Sequence, residues 1–128
     1  MPRKVLQVIE SAYRCTIEEQ DDPVVWITHA MKGAGANVHL LLRGNAVNYA
    51  VKGQAVAEVN FGTRHQRQAP RIDDDIASLC AKSVDVYVVE DDVAERGIER
   101  SELVSGIRTI PRSGIARLFG EYDQVWHW

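Results

Sequence analysis

Three carboxylates, Glu90, Asp91 and Asp92, follow directly on the apolar run of residues 84–89. Such a run suits a strand buried on both faces, and burial gives no reason to end it in three acids. Acids at a strand end can tune the charge of a nearby thiol or orient a partner. Cation binding fits them poorly. Consecutive side chains diverge, and no His-x-x-His or paired-cysteine spacing supports them, so no metal is expected. A purely structural alternative stays open: Asp92 as the N-cap of a turn over residues 93–96, with Asp91 solvated. Acids at a helix N-terminus contribute about 0.3–1 kcal/mol with no further purpose.

The chain has two cysteines, too few for a disulfide framework. Cys15 lies in ESAYRCTIEEQ beside Arg14. Thr16 and Glu19 have capping-box spacing, so a helical turn beginning at Thr16 would put Cys15 just before a helix N-terminus. That position and the Arg14 cation favour the thiolate, while Glu18 and Glu19 oppose it. Cys15 is therefore the candidate for persulfide or redox chemistry. Cys80 shares a helical face with Ile76 and Leu79 and reads as an inert core residue. His29 and His39 fall in a helix and a strand, where structural roles are usual. Neither G-x-G-x-x-G nor a P-loop is present, and KGAGAN closes a helix rather than opening one, so no cofactor is expected.

The surrounding pattern says what must position these groups. Residues 4–9 read as a buried strand. Asp22 and Pro23 are a good N-cap and first position for a helix whose apolar residues Val24, Ile27, Ala30 and Met31 share a face. Gly33 and Gly35 stop it. A second strand covers 38–42, and a short helix is entered at Asn45. Residues 60–71 read as a polar, basic loop that could meet an acidic partner. IDDDIASLCAKS is a helix with acids in its first turn, followed by the strand at 84–89. One or two helical turns come next, then the strand IRTI, a helix capped by Ser113, and a last strand at 125–128. Trp126 and Trp128 fall on one side of that strand, as edge packing or as a subunit interface.

Alternating strands and helices predict one α/β domain over 1–128, a doubly wound, mostly parallel five-stranded sheet with helices on both faces. Ligands of such sheets sit beyond the carboxyl ends of the strands. That rim collects Tyr13, Arg14 and Cys15 after the first strand, Arg43 and Asn45 after the second, and Glu90, Asp91 and Asp92 after the third. These are the candidate ligand- or partner-binding residues, with Cys15 catalytic. With 128 residues, 45% of them apolar, the chain can bury roughly two-thirds of its unfolded surface. A formal charge of −3 argues against nucleic-acid or membrane partners. The start, MPRKVLQVIES, is too short in its apolar part for a signal peptide, and a cytoplasmic location is expected.

With these segments in place, the chain resembles the DsrE/DsrF-like sulfur-relay family. LLLRGNAVNYAVKGQ looks like that family's strand, turn and helix, with Asn45 where Asp is usual. VDVYVVEDDVAERGI is similar to its next strand, acidic turn and Arg-Gly-Ile element. SELVSGIRTI and SGIARLFGEYDQVWHW look like its closing elements. The resemblance implies trimers or hexamers, a persulfide-bearing cysteine, and a sulfur-carrier protein partner. The family's cysteine position matches Val89, and a second cysteine of some members matches Asp92, so the usual carrier is absent from its usual place. Either Cys15 carries sulfur, or the chain is a non-catalytic subunit that binds a partner or small ligand.

Overall fold

Lys4–Ile9 (β1, KVLQVI) and Asn37–Leu42 (β2, NVHLLL) are buried at every residue but the first. That is what central strands covered on both faces require. The computed structural model describes residues 3–13, 21–54, 59–67 and 69–128. Between β1 and β2 runs Pro23–Gly33 (α1), capped by Asp22, whose carboxylate accepts from the N–H groups of Val24 and Val25. After β2 the chain turns through a 3-10 segment, Gly44–Ala50. A small hairpin, Asn60–Phe61 (β3) with Arg64–His65 (β4), precedes Ile72–Ala81 (α2). Then come Val86–Val89 (β5), Glu90–Glu95 (α3), Arg108–Ile110 (β6), Ile115–Gly120 (α4) and Gln124–His127 (β7).

The main sheet has five strands in the order β6-β5-β2-β1-β7, all parallel. The chain steps outward from β1 to β6 and then returns to the far side of β1. The fold is thus the expected α/β sheet wound in both directions. One face packs Ile9, Leu40, Leu42, Val86 and Val88 against α1, α2 and Tyr49. The other packs Leu6, Val8, Leu41 and Val89 beneath Ile115 and Leu118 of α4. Among the described residues, no helix is long and apolar enough to cross a membrane.

Several local expectations change. Residues 60–71 are not wholly loop, because Gly62, at φ +62°, opens a two-residue turn that lets β3 and β4 pair. Ser113 caps nothing. It sits inside a 3-10 turn, Arg112–Gly114, that leads into α4. Asp92 is not an N-cap either: α3 begins at Glu90, so Asp92 lies within its first turn. The short helix expected from Asn45 is a 3-10 segment starting at Gly44.

Buried polar groups tie the layers together. Gln7 is fully buried on β1. Its amide N–H donates to Thr28 Oγ1 on α1 at 2.6 Å, and its carbonyl accepts from Trp128 Nε1 at 2.9 Å. His39 has a structural role. Its Nδ1 accepts from the Asp85 backbone N–H at 2.9 Å, so Nε2 carries the proton and donates to Asn37 Oδ1 at 2.8 Å. Burial lowers its pKa and keeps it neutral, against the pull of Asp85. His29 bridges the two helices of its face, with Nε2 at 3.0 Å from the Asp75 carbonyl and Nδ1 at 3.2 Å from Lys82 Nζ.

Asp75 itself is destabilised as an anion. Burial, and then the Asp21 carboxylate beside it, raise its pKa to about 6. A raised folded pKa means that its stabilising contribution is full below the ordinary Asp range and is lost as pH rises through about 6. Asp75→Asn should therefore raise the melting temperature at neutral pH. The gain should disappear near pH ~4, where the wild-type group is protonated in the folded state. Thermal melts of both proteins across this range check the sign.

Candidate functional site

Parallel strands deliver their carboxyl ends to one rim, and the connections there are held by one carboxylate. Gly44 turns the chain out of β2 at φ +57°, a conformation that suits glycine. Its N–H donates to Asp92 Oδ2 at 2.8 Å. The other oxygen, Asp92 Oδ1, accepts from Arg112 Nη2 at 2.6 Å. Arg112 follows β6, so Asp92 joins the exits of β2, β5 and β6. The Arg112 backbone N–H adds a bond to Asp91 Oδ1 at 2.8 Å, and its guanidinium reaches Glu95 Oε1 at 3.1 Å. Arg96 crosses back to β2's exit, donating to Asn45 Oδ1 from Nε and Nη2 at 3.2 and 2.8 Å, and to the Asp92 carbonyl at 3.1 Å. Burial alone would raise the Asp92 pKa. The Gly44 N–H and the Arg112 guanidinium outweigh it and hold the carboxyl below its ordinary value.

The exits of β1 and β7 join the same rim. Glu10 Oε1 lies 3.3 Å from Arg43 Nε and 3.1 Å from His127 Nε2. Tyr49, buried in the 3-10 segment, accepts a hydrogen bond from the Tyr13 backbone N–H. Its hydroxyl donates to Asp22 Oδ2 at 2.5 Å. The Tyr13 ring stands edge-on to Tyr49, with centroids 5.2 Å apart, and the Tyr13 phenol bonds Gln54. Arg14 and Cys15 lie outside the described residues, between Tyr13 and Asp22 in sequence.

Tyr13, Arg43, Asn45, Glu90, Asp91 and Asp92 thus lie along one end of the sheet, in two groups with Glu90 apart from both. Arg43 pairs with Glu10, and Tyr13 leans on Tyr49. Asn45, Asp91 and Asp92 belong to the Arg96 and Arg112 network. Glu90 stands apart, 3.5 Å from Arg100. Val89, where the resemblance expects a cysteine, is fully buried. Cys80 is at the other end of the sheet. Burial raises its thiol pKa, and Gly106 lies so close that a Cβ there would come within 3.3 Å of the Cys80 Cβ. Among the described residues no three His, Cys, Asp or Glu side chains are placed to hold a metal.

Tyr49, Arg96 and Arg112 were not singled out from sequence. Arg112 could have been found by applying the strand-end rule to IRTI-Pro-Arg as well as to the first three strands. Tyr49 carried a weaker signal, a phenol amid the apolar residues of NAVNYAV, where a buried hydroxyl needs a partner.

No family model and no curated protein sequence matches the chain. Solved structures share its fold. The ychN protein of E. coli superposes with a TM-score of 0.74 at 18% identity, over 100% of both chains. BT1422 of Bacteroides thetaiotaomicron, a conserved protein of unknown function, gives 0.68 at 10% identity over 98% of this chain and 95% of its own. MTH1491 of Methanobacterium thermoautotrophicum, also of unknown function, gives 0.59 at 13% identity over 98% and 99%.

Asp92→Ala should lower stability by about 1–3 kcal/mol, the cost of leaving a donor such as the Gly44 N–H unsatisfied. Arg112→Gln should cost less, because the Gly44 bond survives. A depressed carboxyl pKa contributes stability above its unfolded value and loses it as pH falls through the folded value. The gap between wild type and Asp92→Ala should therefore narrow in acid. Urea unfolding of the three proteins at neutral and acid pH measures both effects.

Proposed function

We propose that this chain is a DsrE-like sulfur-handling subunit that carries persulfide sulfur on Cys15 instead of at the family's usual strand-end position. The observation that carries this reading is the Tyr49 phenol. It bonds Tyr13 on one side of the Cys15 segment and Asp22 on the other. Both flanks of the segment are thereby fastened at the rim where ligands of this architecture bind. The other thiol, Cys80, lies at the opposite end of the sheet with its thiolate disfavoured. In the reaction, the Cys15 thiolate attacks the outer sulfur of a donor persulfide. The donor S–S bond breaks, the donor leaves as a thiol after taking the proton, and Cys15 holds the new persulfide anion, with no net oxidation. Arg14, Arg43 and the acids of the rim would steer a sulfur-carrier protein partner of mixed charge.

Incubation with a persulfide donor should add one sulfur mass per chain, removable by reductant. Cys15→Ser should abolish the gain and Cys80→Ser should not. A second reading is favoured by the Asp92 clamp and the buried Val89, which fill the family's site loop with structural groups. On it, the chain is a non-catalytic subunit that binds a partner or small ligand, and wild type gains no mass.

Self-association is part of the same proposal. Among the described residues, strand β7 pairs only with β1, and it presents Val125 and Trp126 at 36% and 39% exposure, with Trp128 beyond it at 47%. A one-sided edge strand bearing large apolar side chains is a natural surface for a second copy. Light scattering should report a trimer or hexamer, and Trp126→Glu should shift the mass toward the monomer.

A further inference from the structure

Beside the clamp, the structure holds a pocket to which neither sulfur transfer nor assembly assigns a ligand, although Glu90 at its mouth is one of the rim acids. It has a volume of about 310 Å³, at the small end of small-molecule sites, and lies between α3, the following loop and β6. The Arg-Gly-Ile turn builds it. Gly97, at φ +67°, reverses the chain at the end of α3, so that the Ile98 N–H bonds the Val93 carbonyl. Ile98 then folds back toward the core beside Val93 and Leu103, and these three make an apolar floor, with the exposed Ala94 at its edge. The loop is held in place before any ligand arrives. Glu99 and Glu102 cap each other's backbone, and the Val104 and Lys52 N–H groups tie residues 102–104 to residues 50–52. Such preorganisation lowers the cost of binding.

The mouth of the pocket carries one charge of each sign. Arg100 Nη2 donates both to Thr109 Oγ1 and, at 3.5 Å, to Glu90 Oε1. Among the described residues, Arg100 Nη1 and Nε and the second Glu90 oxygen have no protein partner. Thr109 holds one nitrogen of the guanidinium, whose side chain is otherwise largely exposed at the mouth.

We propose that this pocket binds an α-amino acid with an aliphatic side chain. The side chain lies on Val93, Ile98 and Leu103. The carboxylate takes the open N–H donors of Arg100, and the ammonium takes the open oxygen of Glu90. A guanidinium and a carboxylate side by side match the two charges that such a molecule carries on neighbouring atoms, and each charge-assisted bond is stronger than a neutral one. A fatty acid would satisfy Arg100 and leave Glu90 facing its tail. An alkylamine would do the reverse. The inference stands whether or not Cys15 carries sulfur.

The test follows the methyl resonances of Val93, Ile98 and Leu103 by NMR while L-leucine is titrated into the millimolar range. Saturable shifts at these methyls are expected. Isocaproate, isoamylamine and glycine each lack one of the three matched groups and should bind at least ~10-fold more weakly. Glu90→Gln should weaken L-leucine and isoamylamine but not isocaproate. Arg100→Gln should weaken L-leucine and isocaproate but not isoamylamine. Ala94→Trp places a ring at an exposed position in the mouth and should block L-leucine without disturbing the fold. The proposal is overturned if L-leucine gives no saturable shift, if isocaproate binds as tightly as L-leucine, or if Ala94→Trp leaves binding intact. Persulfide loading reports on Cys15 alone, so failure here and failure there are read separately.

Discussion

A carboxylate with almost no access to water must find partners for both oxygens, and Asp92 finds them on two other crossovers. That requirement shapes the carboxyl-terminal rim. One oxygen needs an N–H, and Gly44 supplies it because the turn out of β2 bends into the left-handed region. The other needs a cation, and Arg112 supplies it from the end of β6. Parallel strands have no hairpins to fix their exits relative to one another, so side chains must do it. With Asp92 paired in this way, α3 is seated on the sheet, and the Arg-Gly-Ile turn and the pocket wall behind it are placed as a consequence.

Tyr49 does the same service on the other half of the rim. Fully buried in the core of one face, it joins Tyr13 to the N-cap of α1 through its hydroxyl. Asp22 consequently works twice. One oxygen caps α1 and the other accepts the Tyr49 hydroxyl's hydrogen bond, so helix initiation and rim assembly depend on one buried side chain. The two hubs share the 3-10 segment Gly44–Ala50, which begins at one and contains the other. A regular α-helix would move Gly44 and Tyr49 to different relative positions, since the two helix types differ in residues per turn and in rise.

The two edges of the sheet are unequal. β6 is flanked by the capped loop and the pocket, while β7 shows its aromatic residues to solvent. The pull of Gln7 on the Trp128 indole explains how an exposed edge strand stays in register. It fastens the residue after β7 to an interior strand of the sheet, where Gln7 is fully buried.

Much of the architecture was legible in the sequence because it rests on burial, and burial leaves a local mark. The apolar runs gave β1, β2 and β5, the Asp22-Pro23 pair gave the start of α1, and alternation gave a parallel sheet whose strands end on one rim. The acids at 90–92 were visible as an anomaly. Their division of labour was not: Asp92 inside the clamp, Asp91 on the Arg112 backbone and Glu90 at a pocket mouth. That division depends on which way each side chain points after one turn of helix, and on arginines that are distant in sequence. The hairpin at 60–65 and the uncapped start of α4 escaped for the same reason, since a two-residue turn and a 3-10 entry leave little periodicity to read. Composition and spacing determine which residues are hidden and which connections the strand ends deliver to one rim. Only the tertiary structure decides which charges neutralise each other, because ion pairs are chosen by distance in space, and the two carboxylates that the Arg112 guanidinium holds lie 20 and 17 residues away along the chain.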